Sequence, residues 1–340
     1  MSGVFVHGLG AVSPAGWGME ALHAAVSKQS VIAPVQVSRP GWPQGVQVRR
    51  VPSPAPKPAF LAHARLRRSS PITHFAVSAA LEALGNEVSA VGSGVVRLGI
   101  VLCVMSGCVN YSRRFYDEVL KEPATASPLV FPETVFNAPC SHLAALLGAK
   151  GVTYSIVGDP GTFVQGLALG AEWLVNQEVD GCLVIGAEEG DWITADAFRH
   201  FSRELVLSEG AGAVYLKRAT PSGLAVELQG VTDSHSFFNH ETRLAAAKKM
   251  RAELPPGSGA DLLVEGTQGI PVLDAPENRV WQNWPGRRLG VKRTLGEGLT
   301  AAAAWQCVTG IKMLQEQGGG SLLVSVAGCN QQVIGAHFST

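Results

Sequence analysis

The sequence predicts an α/β fold, and three observations carry that prediction. Short apolar runs of β-prone residues alternate with stretches of helical periodicity along all 340 residues. Ala and Gly crowd the helical stretches at 168–171 and 301–304, whose thin side chains suit helices buried between two sheets. Each half reads as strand–helix–strand–helix followed by further strands, the pattern of an internal duplication, although no repeat is plain in the letters themselves.

The elements follow in order. Residues 4–7 form a short strand, 8–16 a glycine-punctuated turn and 19–27 a helix. A strand, glycine loop and helix invite a dinucleotide reading. The spacing is not that of the dinucleotide fingerprint, and no acid closes a second strand about 20 residues on, so that reading is rejected. Residues 32–57, rich in Pro, Val and Arg, lack periodicity and lie over the surface. Arg65, Arg67 and Arg68 form a basic cluster, read as a solvated face with an acidic partner's site as the alternative. A helix at 70–85 ends on glycine. A strand follows at 95–105, then an amphipathic helix at 110–120, a loop at 123–139 and a short helix at 141–147.

The chain is organised around 154–174. Apolar 154–157 reads as a buried strand. Gly158-Asp159-Pro160-Gly161 makes a sharp turn. Thr162 then caps a helix whose small residues, Gly166, Ala168, Gly170 and Ala171, allow close approach to other backbone. Many enzymes mount a nucleophile on such an elbow, where helix amides steady a thiolate or an oxyanion. This tip carries neither Cys nor Ser. A buried strand at 179–186 follows, then a glycine turn at 209–212 into a strand, with 223–231 as its hairpin partner. A helix at 244–253, a strand at 261–264, a long Ala-rich helix at 299–316, a strand at 322–326 and a last strand from 333 complete the chain.

Composition excludes several classes. Lys and Arg number 27, as do Asp and Glu, so no net charge draws the chain to nucleic acid or an anionic membrane. Hydrophobic residues are 46% and charged residues 16%, which points to extensive burial and a subunit interface. The six cysteines are scattered without a CxxC, so buried thiols in a reduced, cytoplasmic protein are expected, with no metal and no cofactor. Residues 1–10 do not read as a signal peptide, and no apolar run reaches the ~18–20 residues of a membrane span.

These landmarks form a set. Gly8-Leu9-Gly10-Ala11-Val12-Ser13-Pro14, Leu98-Gly99-Ile100-Val101 with Ser106-Gly107, Asn137-Ala138-Pro139 through His142 to Gly148-Ala149-Lys150-Gly151, Gly186-Ala187-Glu188, Glu209-Gly210-Ala211-Gly212, and Lys292 with Gly296 occur in one order. The sequence resembles the β-ketoacyl synthases of fatty-acid and polyketide synthesis, which have the thiolase-like fold. The resemblance spans nearly the whole chain. It implies a layered α-β-α-β-α architecture of two pseudo-duplicated halves, 1–218 with cap insertions and 219–340, in one compact unit.

The departures from the family decide the expected function. Active members carry a Cys thiolate on the elbow and two histidines that support decarboxylation. Here the elbow position falls on Thr162 or Phe163, and a Thr hydroxyl is a far weaker nucleophile than a thiol near ~8.5. The family's V-E-A-H-G-T segment reads Val264-Glu265-Gly266-Thr267, so its histidine position falls on Thr267. Its K-x-x-x-G-H reads Lys292 through Gly296 to Glu297, so the retained pocket residues are Lys292 and Gly296 and the second histidine position holds Glu297. Glu297 reads as a helix N-terminal acid or as a partner for Lys292. The gate loop, Val326, Ala327, Gly328, Cys329 and Asn330, lacks the family's Phe. His235 and His240 could replace the lost histidines only if their loop folds into the pocket, and Cys140 or Cys329 could supply a relocated thiol.

Together the losses resemble the chain-length factors, degenerate ketosynthases that pair with active ones in type II polyketide synthases. The resemblance implies an active ketosynthase as partner, or a second copy of this chain, and an acyl carrier protein. The alternative expectation is an active β-ketoacyl synthase or acyltransferase with an altered site at Thr162 or a relocated Cys.

Overall fold

A computed structural model of the chain describes residues 3–329 and 331–340; the side chain of His240 also lies outside the description. The first half comprises β1 (Phe5–Ser13), β2 (Gly16–Trp17), α1 (Met19–Ser27), β3 (Val35–Val37), β4 (Val46–Arg49), α2 (Pro71–Leu84), α3 (Val88–Gly92), β5 (Leu98–Val104), α4 (Val109–Lys121), α5 (Ala138–Leu147), β6 (Thr153–Val157), α6 (Thr162–Val175), β7 (Gly181–Glu188), α7 (Trp192–Phe198), β8 (Leu207–Ser208) and β9 (Gly210–Lys217). The rest comprises β10 (Glu227–Val231), β11 (His235–Ser236), α8 (His240–Glu253), β12 (Leu262–Glu265), α9 (Pro271–Val280), β13 (Arg287–Gly290), α10 (Val291–Leu295), α11 (Thr300–Glu316), β14 (Ser321–Ala327) and β15 (Gln332–Ser339).

The main strands run in the order β13-β12-β14-β15-β10-β1-β9-β7-β5-β6. Counted along the chain, each half has its own strands in the order 3-2-4-5-1. In both halves the fifth strand, β9 or β15, is antiparallel to its two neighbours, and the others are parallel. The duplication invisible in the letters is therefore explicit in the hydrogen bonding. The halves meet where β1 and β10 pair antiparallel at Phe5 and Glu227. Helices α2 and α5 pack on the first half, α8 and α9 together on the second with α8 against β15, and α6 and α11 lie between them. The result is the α-β-α-β-α layering of the thiolase-like fold.

Close backbone approach holds these layers. The glycines expected to break the chain after residue 7 instead lie inside β1, which continues to Ser13. A Cβ on Gly10 would sit 1.9 Å from the carbonyl oxygen of Ala79 on α2, and one on Gly8 1.8 Å from that of Ala83. The residues serve helix-on-strand contact and not a turn. The same device seats α11, whose residues 300–311 are buried throughout. A Cβ on Gly186 would meet Thr300 O at 2.4 Å, and Trp305 Nε1 donates to both Val12 O and Ala211 O at 3.0 Å. Glu188 closes β7 by accepting from Met105 N, Ser106 N and the Thr300 hydroxyl. Burial, opposed by those bonds, pushes its carboxyl up to about 7.

Three further expectations are corrected, and two elements are added. The segment 223–231 does not pair with β9; β10 lies between β1 and β15 and completes the second half. The stretch 154–157 is a strand, but as the last of its sheet it is not buried: Tyr154 is 57% and Val157 50% exposed. The surface segment 32–57 contains β3 and β4, which form a small sheet with β8. Helix α9 and strand β13 were not expected, because Pro271 and Pro276 mask the helical pattern and β13 has only four residues.

The close packing under β1 yields a stability prediction. Gly10→Ala should lower unfolding free energy by about 2 kcal/mol or more, whereas Gly223→Ala, where a Cβ meets nothing within 4 Å, should stay within ~0.5 kcal/mol. Urea midpoints of both variants check the difference.

Candidate functional site

The elbow is the junction of β6 and α6. Gly158 N extends the ladder by donating to Val104 O at 3.0 Å, and Asp159-Pro160-Gly161 turns the chain. Thr162 does not cap the helix: Gly161 is the N-cap residue and no side chain serves there. Thr162 is instead the first helical residue, 4% exposed, and its Oγ1 is buried without a hydrogen-bond partner. A nucleophilic hydroxyl needs a base in contact, and this one has none. Phe163 is fully buried in the core beside Gly186. The helix amides are also spent. Thr162 N donates to Asp159 O at 2.8 Å and Phe163 N to Pro160 O at 3.3 Å, so neither is aimed at open space where an oxyanion could sit.

Asp159 fills the tip of the elbow. Its carboxylate, 1% exposed, accepts from Cys329 N and Gln332 N, both at 3.1 Å, across the β14–β15 connection. Burial pushes this carboxyl up, the two amides pull against that, and the nearby charge of Glu297 adds to the rise. Gly328 is the counterpart of this contact: a Cβ there would lie 1.5 Å from Asp159 Oδ2. Gly328 N also closes the hairpin onto Gln332 O at 2.9 Å. The gate-loop expectation thus meets a latch. Val326 and Ala327 are buried in β14, Gly328 and Cys329 touch Asp159, and Asn330 lies outside the described residues.

Glu297 and Lys292 form the second part of the site. Lys292 Nζ lies 2.7 Å from Glu297 Oε2, with both side chains fully buried. Gln268 Nε2 donates to the same oxygen at 2.8 Å, and Leu299 N to Oε1 at 2.8 Å. Burial by itself would push the Lys292 ammonium down, but Glu297 beside it, with Glu277 near, holds it above its ordinary value. Gly296 has φ +88°, and a Cβ there would lie 2.7 Å from Arg49 Nη1 and 2.8 Å from Val206 O, so its glycine is a backbone requirement. Leu299 follows at φ +52°, a strained conformation for a branched side chain, at the start of α11.

Thr267 belongs elsewhere. It is fully buried, and its hydroxyl donates to Glu265 Oε1 at 2.7 Å. Glu265 in turn pairs with Arg288. Its neighbour Gln268, which the motif comparison passed over, is the residue that reaches Glu297. Two further carboxylates pin this shortened loop: Asp274 accepts from Gln268 N and Gly269 N, and Glu277 from Gly266 N and the Ser325 hydroxyl. The acids seven and ten residues after Thr267 were the available signal.

The thiols and imidazoles considered as relocated groups have these surroundings. Burial pushes all six thiols above their ordinary value, Cys140 to about 12. Cys329 is raised further by the charges of Glu297 and Asp159, so it is held as a neutral thiol. His142 pairs with Glu133 and His235 with Glu253; the side chain of His240 is outside the description. Among the described residues no group of His, Cys, Asp and Glu has the arrangement of a metal site, and no helix is long and apolar enough to cross a membrane.

No protein-family model matches the sequence, and no curated protein matches it. Solved structures do match. The ishigamide ketosynthase/chain length factor aligns with TM-score 0.79 at 18% identity, over 98% of each chain. A ketosynthase in complex with its chain length factor from Xenorhabdus doucetiae aligns with TM-score 0.79 at 14% identity, over 99% of this chain and 98% of that one. A type II polyketide synthase acyl-carrier protein in complex with its ketosynthase bound to the hexaketide gives TM-score 0.79 at 16% identity, over 99% and 98%. The chain has the thiolase-like fold of the ketosynthases.

Two outcomes follow from this site. Lys292→Met or Glu297→Gln should each destabilise by about 3–5 kcal/mol, and the double change Lys292→Met/Glu297→Gln should recover most of that, because it removes both charges and keeps an acceptor for the Leu299 amide. Denaturant titration of the cycle measures the coupling. Native protein should react slowly with a thiol reagent at pH 8 at every cysteine, Cys329 included, and quickly once unfolded.

Proposed function

We propose that the chain is a catalytically degenerate ketosynthase-like subunit that partners an active β-ketoacyl synthase in type II fatty-acid or polyketide synthesis, as a chain-length factor does. The observation that carries this reading is the occupied site. Where condensation needs a thiolate and two imidazoles, this chain has an unpartnered Thr162 hydroxyl, an Asp159 latch and a fully buried Lys292–Glu297 pair. The layered frame around them is intact, as 1–218 and 219–340 in one unit.

A partner is supported by the β6 edge. Val152-Thr153-Tyr154-Ser155-Ile156-Val157 ends its sheet without a charge or a proline to guard it, and such an edge invites pairing. Val175 on α6 is 42% exposed, and Phe131 and Phe136 before α5 are 55% and 43% exposed. An apolar edge of this kind is buried in an assembly. Arg65, Arg67 and Arg68 are exposed and form no ion pair among the described residues, which suits an acidic carrier. One matching structure holds a ketosynthase in complex with its chain length factor, and in this reading the chain takes the second place.

Co-expression with a ketosynthase that retains Cys-His-His tests the reading. A one-to-one complex should form, and Tyr154→Asp/Val157→Asp should dissociate it. Incubated alone with acyl or malonyl carrier protein, the chain should show no acylated residue by mass spectrometry. An acyl group on Thr162 or any Cys, or turnover abolished by Thr162→Ala, would establish the alternative of an active acyltransferase. A stable two-copy species that ignores the ketosynthase would establish the homodimer.

A further inference from the structure

A cationic cleft lies on the opposite kind of surface, where α7 meets the segment between β3 and β4. Arg199 and Arg203, from the turn after α7, converge there with Arg39 and His200 on a cavity of about 350 Å³. The only carboxylate in its wall is Asp196, and it is committed to Arg39 at 2.9 Å. Arg39 Nε is nonetheless buried without a hydrogen-bond partner, and the guanidinium lies 4.0 Å over the Trp42 ring. The side chains of Arg199 and Arg203 form no ion pair and no hydrogen bond among the described residues. Both also line an adjoining cleft of about 310 Å³, whose wall adds the neutral amide donors of Gln36 and Gln47.

A helix C-terminus accounts for a cation or two from its own segment. It does not account for Arg39, which arrives from a different part of the chain. Three guanidinium groups facing one another repel unless an anion lies between them. Three arginines against one aspartate leave the wall two positive charges in excess, which matches a dianion. Planar guanidinium forks bind phosphate oxygens in pairs. We propose that this cleft binds a phosphate group, free or as a monoester, with Arg199 and Arg203 as its primary contacts and Arg39 oriented toward it by Trp42 and Asp196. The inference is independent of the subunit role proposed above, since none of these residues belongs to the elbow or to the β6 edge.

Calorimetric titration with methyl phosphate and with inorganic phosphate, at fixed ionic strength in sodium chloride, tests it; a tighter fit of one over the other identifies ester or free ion as the source. Saturable one-to-one binding is expected. Arg199→Gln/Arg203→Gln should weaken it by about tenfold or more, while Arg65→Gln/Arg68→Gln, which removes the same charge elsewhere, should leave it within about twofold. Asp196→Asn, which frees Arg39, should tighten binding. Non-saturable heat, an equal loss in both arginine pairs, or weaker binding by Asp196→Asn would each overturn the proposal.

Discussion

The structure depends on how closely α11 can be brought to the sheets on either side of it. Its residues 300–311 are buried all round, and its first turns present Thr300 and the alanines 301–304. The strands it touches present glycine where it crosses them: a Cβ on Gly212 would lie 2.7 Å from the Ala304 Cβ. Dispersion between closely apposed backbones replaces the interlocking of large side chains. Trp305 is the exception, and it spends its one donor on two strand carbonyls, so even the bulkiest residue of the helix fixes its height above the sheet. Everything at the candidate site hangs from this arrangement, because α11, the Glu297 loop and the elbow helix α6 share the middle layer.

A buried layer of that kind has little room for unpaired polar groups, and the candidate site obeys this. An active condensing site must leave a thiolate and imidazoles exposed to a substrate tunnel. Here each polar group at the corresponding positions has a partner inside the protein, with Thr162 Oγ1 left over. Lys292 alone would be an uncompensated charge in the middle layer. Glu297, held by Lys292, Gln268 and the Leu299 amide, cancels it. Asp159 does the same for the free amides of the β14–β15 hairpin. The internal pairing at these positions is made by the same side chains that the motifs single out.

The polar interior contrasts with the β6 face. There the ladder stops with its outer edge open, flanked by Tyr154 and Val157 in solvent. The apolar edge is thus the open counterpart of an interior whose charged groups are paired. The 46% hydrophobic content is consistent with this, since part of it is spent on a surface.

What the sequence determined by itself was the alternation of strands and helices, the order of the landmarks, and the absence of Cys and His where a condensing enzyme keeps them. Periodicity and side-chain chemistry are local properties, so α1, α2, α6 and α11 were legible from their own residues. Tertiary structure decided the rest. Gly8 and Gly10 read as a turn, because a glycine that permits a bend and one that admits a neighbouring helix look alike until that helix is placed. The strand 154–157 read as buried because apolar composition does not say which strand ends a sheet. Gln268 and Asp159 carried no signal, since each acts on a partner 29 and 170 residues away, at Glu297 and Cys329. Contacts between residues so far apart in the chain exist only once the two halves have closed on the middle layer.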